Sequence, residues 1–118
     1  MFRKILRSKI HRATVTAANM DYVGSITIDS DLMVAAGLAE WECVLVADLV
    51  SGTRHETYVI PGEAGSGEIC VNGAAAHLVN PGDKVIIMAF GYGDVADQAR
   101  HRPAIVLVDE KNRLVKKL

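Results

Sequence analysis

Aromatic residues are scarce in this chain: two Phe, three Tyr and one Trp among 118 residues. A packed interior must therefore come mainly from Val, Ile, Leu and Ala. An excess of either charge is missing too. Thirteen Lys and Arg against fourteen Asp and Glu leave a formal charge of −1. That balance removes any global electrostatic case for nucleic acid or membrane binding. The two cysteines, Cys43 and Cys70, form no CxxC pair and stand at no metal-ligand spacing. Each lies in an apolar run and reads as a small buried hydrophobe in a reducing compartment. The longest apolar run, around Val85 to Tyr92, is far short of a membrane span. No apolar signal segment follows the basic N-terminus, so a cytoplasmic protein is expected. His11, His55, His77 and His101 are dispersed, and no metal is expected. GxGxxG, Walker and GxSxG patterns are absent, and Gly62 to Gly67 lacks the Lys-Ser/Thr ending of a phosphate loop. Familiar nucleotide and hydrolase chemistries fall away.

What is present is half hydrophobic residues with 23% charged ones, a globular composition. The length predicts a single domain over 1–118. A chain of this size buries only about two-thirds of its unfolded surface, which favours self-association. The pattern is of short strands punctuated by turns. Strands are predicted over Lys9 to Thr16, Ser25 to Ile28, Glu42 to Val50, Thr57 to Ile60, Glu68 to Val71, Lys84 to Phe90 and Ala104 to Val108. Asp29-Ser30-Asp31 offers helix N-caps ahead of Leu32 to Ala36, and Gly37 supplies a left-handed stop. Pro61-Gly62 is expected to end its strand. Asn72-Gly73 turns into a possible helical turn over Ala74 to Leu78, and Asn80-Pro81-Gly82-Asp83 is the strongest turn signal. Asp94 to Arg100 suggests one more short helix. Glu42 to Val50 is apolar at both parities, as in a strand buried on both faces or closing a small barrel. Seven or so strands with few helical turns predict a closed β-barrel, because closure removes exposed edges.

Two features invite a functional reading. Arg3, Lys4, Arg7, Lys9, His11 and Arg12 crowd an N-terminal segment without one acidic residue in its first twelve positions. That segment is either a solvated strand edge or an anion site. Without interleaved aromatics, nucleic acid is the weaker ligand. The second feature is Gly24-Ser25. With no side chain on Gly24, the Ser25 hydroxyl can approach the preceding carbonyl carbon in a tight turn. An N-to-O acyl shift, elimination and loss of ammonia would then leave a pyruvoyl group, a covalent electron sink. The dipeptide alone does not distinguish this from an ordinary turn serine.

Its context does. Lys9-Ile10-His11-Arg12, Val15-Thr16, Tyr22-Val23-Gly24-Ser25 and Asp29 resemble the N-terminal signature of the pyruvoyl-dependent aspartate 1-decarboxylases. The resemblance continues through Arg54, Thr57-Tyr58, Asn72-Gly73-Ala74-Ala75-Ala76-His77 and Gly82-Asp83 before Val85-Ile86-Ile87. It covers roughly residues 1 to 90. Ser51 stands where the family's turn has Asn, and Gly91 to Leu118 carries no diagnostic motif.

The resemblance implies a mainly β, double-psi β-barrel with short helical insertions, assembled as a homotetramer with active sites at subunit interfaces. It implies a proenzyme that cuts itself between Gly24 and Ser25 into a β chain, 1–24, and an α chain, 25–118. The α chain would begin with a pyruvoyl group derived from Ser25. No metal and no pyridoxal phosphate would be used. The implied reaction forms a Schiff base with L-aspartate and releases its α-carboxylate as CO2, giving β-alanine for pantothenate and coenzyme A synthesis. By the same resemblance, Tyr58 is the proton donor, since a phenol keeps its proton at neutral pH. Arg54 and Lys9 hold the substrate carboxylates. Thr57 contacts substrate and supports the oxyanion during processing. Asn72 donates near the pyruvoyl amide, and Gly73, Ala74 and Ala75 bring backbone amides to the substrate. The roles of His11 and Tyr22 stay open, as does the need for a maturation factor. A different class of function is a non-catalytic barrel that binds an anion or nucleic acid through its basic N-terminal strand.

Overall fold

The computed structural model describes residues 1–118. Nine strands follow one another: β1 (Phe2–Thr14), β2 (Ala17–Asn19), β3 (Ser25–Asp29), β4 (Cys43–Asp48), β5 (Arg54–Gly62), β6 (Ile69–Asn72), β7 (Lys84–Asp94), β8 (Ala104–Val108) and β9 (Leu114–Lys117). One helix, α1 (Ser30–Ala36), and two 3₁₀ segments, Gly73–His77 and Val95–Arg100, interrupt them. No helix is long and apolar enough to cross a membrane.

The sheet order is β2-β6-β3-β5-β4-β7-β1-β8-β9. Only two residues separate β1 from β2, so the chain that lies against β7 continues directly onto β6. The crossing is hydrogen-bonded on both sides. Val15 N–H donates to Asp83 O at 2.9 Å, and Thr16 N–H donates to Ile69 O at 2.8 Å. Six strand positions therefore close into a ring, with β8 and β9 extending from β1 outside it. Two neighbouring pairs in the ring, β2–β6 and β3–β5, run parallel. The mainly β, barrel-like fold expected from the sequence is what forms, with two more strands than its pattern predicts.

The interior is aliphatic, as the shortage of aromatics requires. Ile10, Ile26, Ile28, Val46, Val59, Ile69, Val71 and Val85 are wholly buried. Val44 and Val46 face inward from β4 while Leu45 is only partly covered, so the double-parity pattern marks a barrel wall. Asp29 caps α1, accepting from Asp31 N–H at 2.8 Å, and Gly37 ends it at φ 70°. The Asp29 carboxylate also accepts from Gly65 and Gly67 N–H at 3.0 and 2.8 Å. A residue readable as a helix cap thus also pins the loop between β5 and β6.

Pro61 does not end β5, contrary to expectation; the strand runs to Gly62. Val59 N–H points towards Glu42 O on the β4 side. Two residues later Pro61 faces that same side, beyond the last β4 partner, so its missing N–H leaves no carbonyl unmatched. Leu49 and Val50 leave the strand for a turn, because Asp48 accepts from the Val50 and Ser51 N–H groups at 2.7 and 3.2 Å.

His55 gives the fold a pH dependence. Its Nε2 is buried without a partner, and burial holds the imidazole pKa below the ordinary value. The unfolded chain then takes up the proton first, so the stability present above about pH 6.5 declines on acidification. His55→Leu should flatten the fall in unfolding midpoint between about pH 7 and pH 5 relative to wild type, as read by thermal melts. An unchanged slope would remove His55 from the pH response.

Candidate active site

β3 and β6 run antiparallel with Ser25 opposite Asn72 and Thr27 opposite Cys70. Ile26, Ile28, Ile69 and Val71 point into the barrel and are fully buried. Alternation therefore places Ser25, Thr27, Cys70 and Asn72 together on the other face of the wall. There they form a hydrogen-bonded cluster. Ser25 Oγ donates to Val23 O at 3.2 Å and accepts from Asn72 Nδ2 at 3.0 Å. Asn72 Nδ2 also donates to Thr27 Oγ1 at 3.1 Å. Cys70 Sγ donates to Asn72 Oδ1 at 3.2 Å. Burial, and then the nearby Glu68 carboxylate, push the Cys70 thiol pKa up, which keeps it a donor. A donor at Oδ1 turns the amide nitrogen towards the two hydroxyls.

Cys70 is buried as the sequence predicts and is also a polar partner, whereas Cys43, expected to be buried, is exposed at the start of β4. The available signal for Cys70 was its spacing: two residues before Asn72 on one strand puts both on one face.

A sharp change in burial falls at the Gly24–Ser25 bond. Met20 to Gly24 form an exposed irregular segment, whereas Ser25 is only 2% exposed. Gly73 packs against this junction at φ 76°, and a Cβ there would lie 2.6 Å from Gly24 Cα and 3.0 Å from Gly24 N. Beside the cluster opens a cleft of about 400 Å³, lined by Tyr22, Thr27, Cys70 and Asn72 and bordered by Glu63 and Glu68. Gly24, Ser25, Asn72 and Gly73 are thus brought together. Ala74 is exposed and Ala75 partly buried, in the 3₁₀ segment that Gly73 opens.

The neighbouring strand on the other side of β3 is β5. Ile26 pairs with Val59, so one step back along both strands sets Tyr58 level with Ser25. Tyr58 is partly buried, and the Trp41 ring lies 5.8 Å from it, centroid to centroid, at 31°. Arg54, Glu56 and Tyr58 alternate along one face of β5. Thr57 falls on the opposite face, in step with inward-pointing Val59. Arg54 makes no ion pair with Glu56, whose carboxylate accepts instead from Cys43 Sγ at 3.5 Å.

Lys9 lies on β1 opposite Met88, in a cross-strand row that continues through Leu45 to Glu56. It shares the outward face with Arg54 and Tyr58; along the sheet β7, β4 and β5 lie between it and β3, while on the closed side β1 runs on into β2 and β6 intervenes. It forms no ion pair. One chain therefore gathers the Ser25 cluster beside Tyr58, with Lys9 on a separate strand of the wall.

A family model described as aspartate decarboxylase matches residues 1–115. The chain belongs to that family. The aspartate 1-decarboxylase of Corynebacterium efficiens is 62% identical over 98% of this chain and 85% of its own length. Those of Acetivibrio thermocellus and Caldicellulosiruptor bescii are each 58% identical, over 98% of this chain and 91% of theirs. The expectation of a decarboxylase stands with this membership.

Within this decarboxylase family member, the cations of β1 have divided duties. The Arg7 guanidinium is engaged by Glu42 and by Gly37 O, and Lys4 sits over the Phe90 ring at 5.2 Å. These two are committed to the fold, which weakens the picture of β1 as a free basic strip. His11 lies against β8, opposite Leu107. Burial, then Lys9 and Arg12, lower its pKa. Tyr22 stands at the junction itself: it borders the cleft, and its carbonyl lies beside Gly73.

Proposed function

We propose that the chain is a proenzyme that cuts itself between Gly24 and Ser25 and then converts L-aspartate to β-alanine and CO2. The observation that carries this reading is the Ser25 hydroxyl, buried at a strand start, held by Asn72 and preceded by an exposed glycine. Ser25 Oγ attacks the Gly24 carbonyl carbon, the Gly24–Ser25 C–N bond breaks, and the freed nitrogen takes the hydroxyl proton. The resulting ester loses the Ser25 α-proton and expels the Gly24 carboxylate. Water then replaces nitrogen at the α-carbon, and ammonia leaves. The β chain is 1–24 and the α chain is 25–118.

The surroundings of Ser25 fit the pyruvoyl group this produces. Asn72 Nδ2 reaches the Ser25 side chain, and Gly73 permits close approach of backbone. The group would supply an electron sink for the charge left when CO2 departs. Tyr58, level with Ser25, donates a proton to the carbon that lost the carboxylate. Arg54 presents an unpaired fork to one substrate carboxylate, and Lys9 a point charge to the other.

The reading places the sites of a homotetramer between subunits, Lys9 of one copy facing the Ser25 cluster of another. Ala74 and Ala75 complete the substrate contacts, whereas Thr57, on the inner face of β5, is set apart from Arg54 and Tyr58. The activity belongs in the cytoplasm, feeding pantothenate synthesis, with a maturation factor as an accelerator of cleavage where one exists.

The test is product analysis. Purified, fully cut protein incubated with L-aspartate should release β-alanine and CO2 in equal amounts, followed by NMR and a carbonate trap. Aspartate left unconsumed by fully cut protein would overturn the reading.

A further inference from the structure

We propose that Trp41 is a positioning residue that holds the Tyr58 ring, and that its unfavourable backbone conformation is retained for that purpose. This rests on the proton-donor reading of Tyr58. Trp41, the single tryptophan of the chain, lies between α1 and β4 at φ 73°. In this left-handed region a Cβ crowds the backbone, and a bulky side chain there is an outlier. The other two non-glycine residues with positive φ are Arg12 and Asn112. Asn112 is of a type that tolerates the conformation, and its amide donates to Thr14 O and Gly67 O at 2.8 Å each.

Burial within its own chain does not account for Trp41, because the residue is 68% exposed in the single protomer. Two contacts define it. Its N–H donates to Val59 O at 2.7 Å, and its ring rests on Tyr58. These fall on consecutive residues of β5, so the backbone bond anchors the indole directly beside the phenol. Any residue but proline supplies the N–H. Only an aromatic supplies the ring contact. Tyr58 is partly buried on the outward sheet face, opposite exposed Cys43, and the aromatic ring set against it is that of Trp41. A proton donor must be held to within about half an ångström to be productive.

Trp41→Gly removes the strain and the ring together, so stability and activity should move in opposite directions. The melting temperature is expected to rise, while kcat falls about tenfold, with KM for L-aspartate within about twofold and chain cleavage complete. Trp41→Asn, which also accepts this backbone conformation, should lose kcat in the same way, and Trp41→Phe should recover most of it. Tyr58→Phe is assayed alongside, and adding Trp41→Gly to it should cost no further kcat. Wild-type kcat in Trp41→Gly, or no recovery in Trp41→Phe, with kcat strongly reduced in Tyr58→Phe, overturns the role of Trp41 and leaves Tyr58 intact. Full activity in Tyr58→Phe itself overturns the proton-donor reading, and the role of Trp41 with it.

Discussion

Ser25→Ala yields a single uncut chain that forms no β-alanine. The substitution removes the one atom, Oγ, on which both cleavage and the electron sink depend, so no residual activity is expected from a slow nucleophile. Folding should survive it. Asn72 Nδ2 loses one of its two hydroxyl acceptors but keeps Thr27 Oγ1. An unsatisfied buried donor costs about 1–3 kcal/mol, and here the loss is partial. The aliphatic interior beneath β3 is untouched. Denaturing gels, circular dichroism and product NMR on one preparation separate these effects. A cut chain, or β-alanine from an uncut one, would contradict the role given to Ser25.

Gly73→Ala should also slow cleavage sharply, for a geometric reason. Two penalties coincide at this position. A positive φ disfavours any Cβ by about 1–2 kcal/mol. The added carbon would also meet Gly24 Cα at 2.6 Å, a contact with backbone that no rotamer change can relieve. Gly24 carries the carbonyl carbon that Ser25 attacks, so the relief of the clash moves the electrophile. Cleavage at least about a hundredfold slower is expected, because small misplacements at a reacting centre cost that much.

Gly52→Ala separates the two penalties. Gly52 has the same φ, 76°, but an added Cβ there meets nothing within 4 Å. It should lose stability to a similar backbone cost and cut at the wild-type rate. Equal cleavage in Gly73→Ala and Gly52→Ala, measured as the time course of chain splitting, would show that contact with Gly24 is irrelevant.

The parts of this structure that were legible in the sequence are local. Asp29 and Gly37 bracket α1 through bonds within a few residues, and Asn80 to Asp83 turns the chain where its residue types demand it. β2 and β9 were not legible, since three or four residues of ordinary composition become strands only through partners elsewhere, β6 and β8. The extent of β5 past Pro61 likewise depends on where β4 begins.

At the site, residue types pointed to Ser25, Tyr58 and Asn72, but faces and distances did not follow from them. Thr57 next to Tyr58 in sequence is opposite to it across the sheet, and Lys9 and Ser25 lie on strands that do not pair. Trp41 left no trace at all in the sequence, because nothing in that residue type signals a left-handed backbone.

The central claim is that Ser25 cuts the chain and is itself transformed. Intact mass spectrometry under denaturing conditions reads this directly. Two chains are expected, 1–24 and 25–118, the larger lighter by one ammonia than plain hydrolysis would leave it. A single full-length mass after prolonged warming, or an α chain that begins with unmodified serine, in a preparation that still makes β-alanine, would contradict it.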